Sequence, residues 1–277
     1  MNEKIVDEKK AVISAFDRGV LYGDGVFETM RSYDKKVFAL DRHLDRLEAS
    51  GDITGIKISK DRKYLKYIIY KLIKINRLKD AYIRLAVTRG AGRVGLDATT
   101  ARDQSLIIIV KRFTAYPDKF YKKGVILCTS SIRRNERSRL CGAKTLNYLN
   151  NIIARMEAQR RGATDALLLN TKGEVAESAV SNIFMVKKKD LVTPSLESGA
   201  LAGITREIVL SLAHRLNLNP VERRVGLAEL KSAKEAFLTN TLMEVMPVVR
   251  VDNKRIANGR PGLVTKSIHR LYKESVK

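Results

Sequence analysis

GVFETMRSYDKKVFAL, residues 25–40, decides how this chain is read. Its first nine residues have the β-branched and aromatic content of a strand, Asp34-Lys35-Lys36 reads as a turn, and VFAL (37–40) reads as a returning strand, so the stretch predicts a hairpin. A change of period follows at once. Asp41 reads as the N-cap of RHLDRLEAS, whose Leu44 and Leu47 form an apolar face, and Ser59 reads as the cap of a longer helix through Leu65, Ile68, Ile69, Leu72 and Ile73. Working outward, AVISAF (11–16) upstream and AYIRLAVTRG (81–90) and SLIIIVKRF (105–113) downstream read as strands, the last two flanking the turn GAGRVGLD. Strands and helices in this proportion predict a small N-terminal α/β domain over 1–115.

FTAYPDKFYKKG (113–124) looks poor in helix and contains Pro117, so residues 116–122 are expected to be a linker. A second block runs over 123–277. GVILCTSSIRR (124–134) reads as a strand, and TLNYLNNIIARMEAQRRG as a helix with Leu146, Leu149, Ile152, Ile153 and Met156 on one face, ended by Gly162. DALLLN and EVAESAVSNIFMV flank the turn Thr171-Lys172-Gly173, ITREIVLSLAHRLN reads as an amphipathic helix, EAFLTNT and EVMPVVRV as strands, and 262–275 as a closing helix. Many short strands with interspersed helices predict a larger, barrel-like C-terminal domain, and the fold class is α/β (α+β).

Composition bounds the function. The 277 residues are 44% hydrophobic, which suits a packed globular protein and excludes wholesale disorder. Fifty-three Lys plus Arg against 30 Asp plus Glu leave a net charge of +23, which makes nucleic acid a first suspect. The excess is spread over both halves of the chain, however, in short runs such as Lys187-Lys188-Lys189, with little aromatic interleaving, and an ordinary basic surface explains it as well. Cys128 and Cys141 form no CxxC, and His43, His214 and His269 lie far apart, so neither a disulfide framework nor a sequence-local metal motif is expected. No h-region and no long apolar run occur, and a cytoplasmic location is expected.

No GxxxxGK[ST] loop, GxSxG elbow, HExxH or EF-hand is present. What remains is subtler. Lys144, in LCGAKTLNYLNN, stands just before an amphipathic helix, where the macrodipole disfavours a cation. It is either an ordinary exposed lysine or one whose depressed pKa suits a Schiff-base nucleophile. Gly203-Ile204-Thr205 opens a helix and is either a phosphate seat or a plain N-cap. Glu177 and Asn182 interrupt a strand that otherwise reads as buried, so they form either a satisfied core network or a functional acid with its partner.

Seven segments add a resemblance: YGDGVFETMR, HLDRLEASG, AYIRLAVTRG, AKTLNYLNN, EVAESAVSNIF, LAGITRE and LTNTLMEVMPV. In order and spacing they resemble the fold-type IV pyridoxal-phosphate enzymes, the class IV aminotransferases, over nearly the whole chain. The group includes branched-chain amino-acid aminotransferases, D-amino-acid aminotransferases and aminodeoxychorismate lyases. The resemblance implies pyridoxal 5'-phosphate as cofactor, lying between the two domains. It implies that Lys144 carries the cofactor as a Schiff base and shuttles the substrate proton, and that Glu177 faces the pyridine nitrogen. Arg46, Ile204, Thr205 and Thr241 match phosphate-binding positions, Leu201 the residue packed on the ring, and Tyr148 the tyrosine that reaches the phenolic oxygen.

The resemblance also bears on substrate. Tyr82 and Arg84 match the YxR of the branched-chain enzymes, where they help hold the substrate carboxylate, and Tyr22 and Phe27 match the apolar wall of the pocket. No RxH stands on the 81–90 strand, which departs from the D-amino-acid enzymes. Leu242 and Met243 replace a small pair and are similar to the lyase pattern, whereas Glu28 and Glu244 are more like the transaminases. The expected activity is transamination of branched-chain L-amino acids with 2-oxoglutarate, in branched-chain amino-acid biosynthesis. The alternatives are aminodeoxychorismate lyase, giving 4-aminobenzoate and pyruvate, and then D-amino-acid transamination. The family implies a homodimer or higher homo-oligomer whose partner subunit completes the pocket. With small anions as ligands, neither nucleic acid nor membrane is expected as a partner.

Overall fold

In a computed structural model, which describes residues 1–276, the chain divides into two compact units. The first comprises 1–114 and 143–148, and the second 115–142 and 149–277. Residues 143–148, within the expected second domain, therefore group with the first unit.

The first unit opens with α1 (Arg18–Tyr22), then β1 (Gly25–Tyr33), β2 (Lys36–Val37), α2 (Leu40–Thr54), α3 (Arg62–Ile75), β3 (Ala81–Thr88) and β4 (Leu106–Arg112). The strands form an antiparallel sheet in the order β2-β1-β3-β4. The hairpin closes on Asp34 and Lys35, both at positive φ, the two-residue geometry that matches strand twist. Alternation along the strands then sorts the faces. Val26, Met30, Ile83, Leu85 and Val87 pack against Leu44 and Leu47 of α2 and Leu65 and Ile69 of α3.

Three local expectations need correction here. AVISAF is no strand, since no neighbouring strand offers it a ladder and Val12 is 78% exposed. The second hairpin strand stops at Val37, because Ala39 turns to φ 50° and α2 begins at Leu40, leaving Asp41 in the first turn rather than at the cap. The cap of α3 is Asp61, whose carboxylate accepts from the Tyr64 N–H at 2.7 Å, and not Ser59.

The second unit contains α4 (Asp118–Lys123), β5 (Val125–Arg134), α5 (Leu149–Arg160), β6 (Asp165–Asn170), β7 (Val175–Ser178), β8 (Asn182–Lys187) and β9 (Asp190–Pro194). It continues with α6 (Ile204–Leu212), β10 (Asn219–Arg223), α7 (Leu227–Lys231), β11 (Glu235–Asn240), β12 (Glu244–Val251), β13 (Lys254–Arg255) and α8 (Leu263–Ser275). Its strands make one mixed, curled sheet in the order β10-β9-β8-β11-β12-β5-β6-β7, with β13 on β12. The core gathers Leu127, Leu167, Ile183, Leu238, Met246 and Val248.

The expected linker holds the short helix α4, begun after Pro117, whose fixed φ suits the entry to a helix. The long EVAESAVSNIFMV strand is in fact two, β7 and β8, broken at 179–181. The expected helix through Leu146 starts only at Leu149. Its buried residues are Ala154 and Ala158, while Leu149, Ile152, Ile153 and Met156 are exposed. Small side chains let α5 lie close on the sheet, so the larger apolar ones point away from the core.

Candidate active site

In the first unit, the face of the β1/β3 sheet opposite the core carries Phe27, Tyr82 and Arg84. The Arg84 guanidinium stands 3.9 Å from the Phe27 ring centroid and the Lys144 Nζ 4.5 Å from it. Tyr148 meets the same ring edge-on at 5.3 Å and lies 5.9 Å from Lys144 Nζ. An amine, a guanidinium and a phenol thus surround one aromatic ring. Lys144 is not at a helix start. It lies on an extended segment laced to β1, with the Phe27 N–H donating to the Lys144 carbonyl, the Leu146 N–H to the Gly25 carbonyl and a bridge between Val26 and Thr145. The Lys144 N–H donates to Ser50 Oγ of α2 at 3.0 Å. What positions Lys144 is therefore strand pairing, which the apolar periodicity after it concealed.

On the core side of the same strand, Glu28 is fully buried and receives two hydrogen bonds from Arg46, Nε to Oε1 at 2.7 Å and Nη2 to Oε2 at 2.8 Å. His43 Nδ1 lies 2.7 Å from the second oxygen. Burial disfavours the Glu28 anion, but the Arg46 charge and the hydrogen bonds from Arg46 and His43 outweigh it and hold the carboxyl at about 2. Burial pushes the His43 pKa down against the opposing pull of Glu28, so a neutral imidazole donates from Nδ1. Tyr22 sits at the end of α1, its hydroxyl accepting from the Gly95 N–H at 2.8 Å and its ring beneath the Arg18 guanidinium.

In the second unit, Glu177 of β7 is buried. Its Oε1 is 3.1 Å from Arg134 Nη2, and its Oε2 accepts from the Leu201 N–H at 3.1 Å and from Asn182 Nδ2 at 3.4 Å. Arg134 was not singled out in the sequence. A cation and two neutral donors converge on this carboxylate and fix its orientation. Next in the chain, Ile204 and Thr205 open α6, whose Gly203 cap supplies no side-chain acceptor. Thr205 is 2% exposed and its Oγ1 has no hydrogen-bond partner among the described residues. A buried orphan hydroxyl beside uncapped helix N–H groups fits a phosphate.

Thr241, Leu242 and Met243 form the turn between β11 and β12. The Leu242 and Met243 N–H groups donate to Asn240 Oδ1, and Tyr121 donates to the Met243 carbonyl at 3.1 Å. Met243 is buried in the core, its sulfur accepting from Ser181, whereas Leu242 keeps partial exposure. Glu244 follows in a left-handed conformation (φ 61°), 2.7 Å from His269 Nε2.

Comparison with known proteins accords with this chemistry. The family described as amino-transferase class IV matches residues 25–251. A branched-chain-amino-acid aminotransferase candidate of Methanocaldococcus jannaschii is 39% identical over 99% of this chain and 94% of its own. The aminodeoxychorismate lyase of Bacillus subtilis is 33% identical over 100% of this chain and 94% of its own. Among solved structures, the branched-chain amino acid aminotransferase of Escherichia coli superposes with a TM-score of 0.94 and 30% identity, covering 99% of this chain and 92% of that one.

Proposed function

Since the chain belongs to the class IV aminotransferases, which use pyridoxal 5'-phosphate, we propose that it transfers amino groups from branched-chain L-amino acids to 2-oxoglutarate. The observation that carries this reading is that the Lys144 amine and the Arg84 guanidinium both stand against the Phe27 ring. An amine that can exchange for a substrate amine and a cation suited to a carboxylate, both on one aromatic ring, are what an α-amino acid requires.

When bound, the cofactor supplies an aldehyde that condenses with amines and a ring that accepts the electrons released at Cα. The chain supplies the rest. Lys144 holds the cofactor through its amine and, once displaced by the substrate amine, takes the proton from Cα and returns it elsewhere. Glu177, oriented by Arg134 Nη2 and the Leu201 N–H, would face the pyridine nitrogen and hold a proton there. Tyr148 donates to the phenolic oxygen and Leu201 packs on the ring. Thr205 Oγ1, the Ile204 and Thr205 N–H groups, Thr241 and Arg46 take the phosphate, the plane of Arg46 being fixed by Glu28. Arg84 with Tyr82 holds the substrate carboxylate, while Phe27, Tyr22 and Leu242 with Met243 behind it form the apolar wall. The exposed face of α5 supports a homodimer.

The bulky Leu242-Met243 turn, together with the lyase relative, favours a second reading, elimination of pyruvate from 4-amino-4-deoxychorismate. Leucine with 2-oxoglutarate, assayed as glutamate formed, against 4-amino-4-deoxychorismate, assayed as 4-aminobenzoate formed, separates the two. Activity on the second substrate alone overturns the transaminase. In either case borohydride should fix the cofactor on the peptide containing Lys144, and Lys144→Ala should lower turnover at least ~100-fold.

A further inference from the structure

Asn182 was singled out by its polarity in a buried strand, and none of the roles above uses it. It is the first residue of β8, 6% exposed and paired across the sheet with Thr239. Its Nδ2 donates to the Leu201 carbonyl at 2.8 Å and points at Glu177 Oε2 at 3.4 Å. Leu201 returns its own N–H to that same Glu177 oxygen. The other end of the amide is equally committed, for a Cβ added at Gly203 would overlap Asn182 Oδ1. One side chain therefore touches the β7 carboxylate, both polar groups of the Leu201 peptide are tied to the same cluster, and the cap residue of α6 is glycine where that side chain stands.

We propose that Asn182 is a positioning residue that locks Glu177 and the N-terminus of α6 into one rigid unit, so that the carboxylate and the phosphate seat at Thr205 are presented at a fixed separation. The inference rests on the reading of Glu177 and Thr205 as cofactor contacts. A cofactor with a basic nitrogen in a planar ring and a phosphate on a short arm spans a limited range of distances, so its affinity depends on the separation of the two groups that receive it. An amide is needed at 182 because the site demands a donor toward Leu201 and Glu177. A carboxylate of the same size would set negative charge against both a carbonyl and Glu177.

The test measures the dissociation constant of pyridoxal 5'-phosphate by equilibrium dialysis, with thermal unfolding alongside, for wild type, Asn182→Ala, Gly203→Ala and the double variant. Asn182→Ala should weaken binding about tenfold or more, as expected for lost hydrogen bonds involving a charged group. Gly203→Ala should weaken it too, by driving Oδ1 away. The double variant should bind no worse than Asn182→Ala alone, because removing the amide makes room for the new methyl. A fourth variant, Asn182→Asp, should shift the pH midpoint of the bound cofactor's visible absorption by about one unit or more, which a loss of stability by itself would not do. Wild-type affinity in Asn182→Ala, or losses that multiply in the double variant, or an unmoved midpoint in Asn182→Asp, overturns the inference. A wild-type chain that takes up no cofactor overturns the reading of Glu177 and Thr205 and this inference with it, which keeps the two failures apart.

Discussion

Among single residues, Glu28 ties stability to pH. A carboxylate at zero exposure survives because Arg46 meets it side-on with two hydrogen bonds and neutral His43 adds a third. Its carboxyl is held at about 2 against an ordinary 4.5, so the folded state resists protonation that the unfolded chain accepts. The contribution is complete above the unfolded value and is lost as pH falls through 4.5 toward 2. His43 acts in the same direction. With its folded pKa depressed, acid below 6.5 charges the unfolded chain first and draws the equilibrium toward it. Urea unfolding midpoints should therefore decline from about pH 6.5 downward, steepening below 4.5. Glu28→Gln should flatten the lower limb and destabilise the neutral protein by about 3–5 kcal/mol, the cost of leaving a buried charge without its partner. An unchanged acid limb in Glu28→Gln would assign acid unfolding to other groups. None of this was legible in sequence, where Glu28 stood only as a mark of the transaminases. Its partners lie 15 and 18 positions away, and only the packing of α2 on β1 brings them together.

Elements were legible where period and local chemistry agreed. β1, β3, β4, β5, β6 and α3 occupy nearly the expected positions because each carries a strand-like apolar pattern, a continuous run in β4 and β6, or an unbroken 3.6-residue period in α3. Boundaries failed where a residue out of ordinary conformation decided them. Ala39 in the left-handed region began α2 early, and strand pairing by 144–146 kept Leu146 out of α5. The instructive failure is α5 itself. Periodicity reports that Leu149, Ile152, Ile153 and Met156 share a face, but not what covers it, and Ala154 and Ala158 make the contact with β5 and β6 instead. The expectation can be checked by size. Ala154→Leu, at a fully buried position, should destabilise the fold by about 1–3 kcal/mol through overpacking. Asn150→Leu, on the exposed surface of the same helix, should change the urea midpoint little. Equal losses at both positions would mean that α5 is covered on more than one side within the chain.

For the whole molecule, the net charge and the exposed apolar face make opposing demands on self-association. Ile152 is 51% exposed and Leu149 66%, apolar area whose removal from water favours a second copy. Each copy also brings +23, so two copies repel at long range. Salt weakens the repulsion, since the screening length falls from about 10 Å at 0.1 M to about 3 Å at 1 M, while apolar burial is little affected or strengthened. Sedimentation should therefore show a homodimer whose dissociation constant falls as salt rises, and Ile152→Lys should raise that constant sharply at low salt by adding charge where the apolar contact is made. A nucleic-acid-binding surface behaves in the opposite sense, losing affinity steeply with added salt through counterion release. Salt that loosens the dimer would place ion pairs rather than the α5 face at the contact, and Ile152→Lys would then leave association near its wild-type strength.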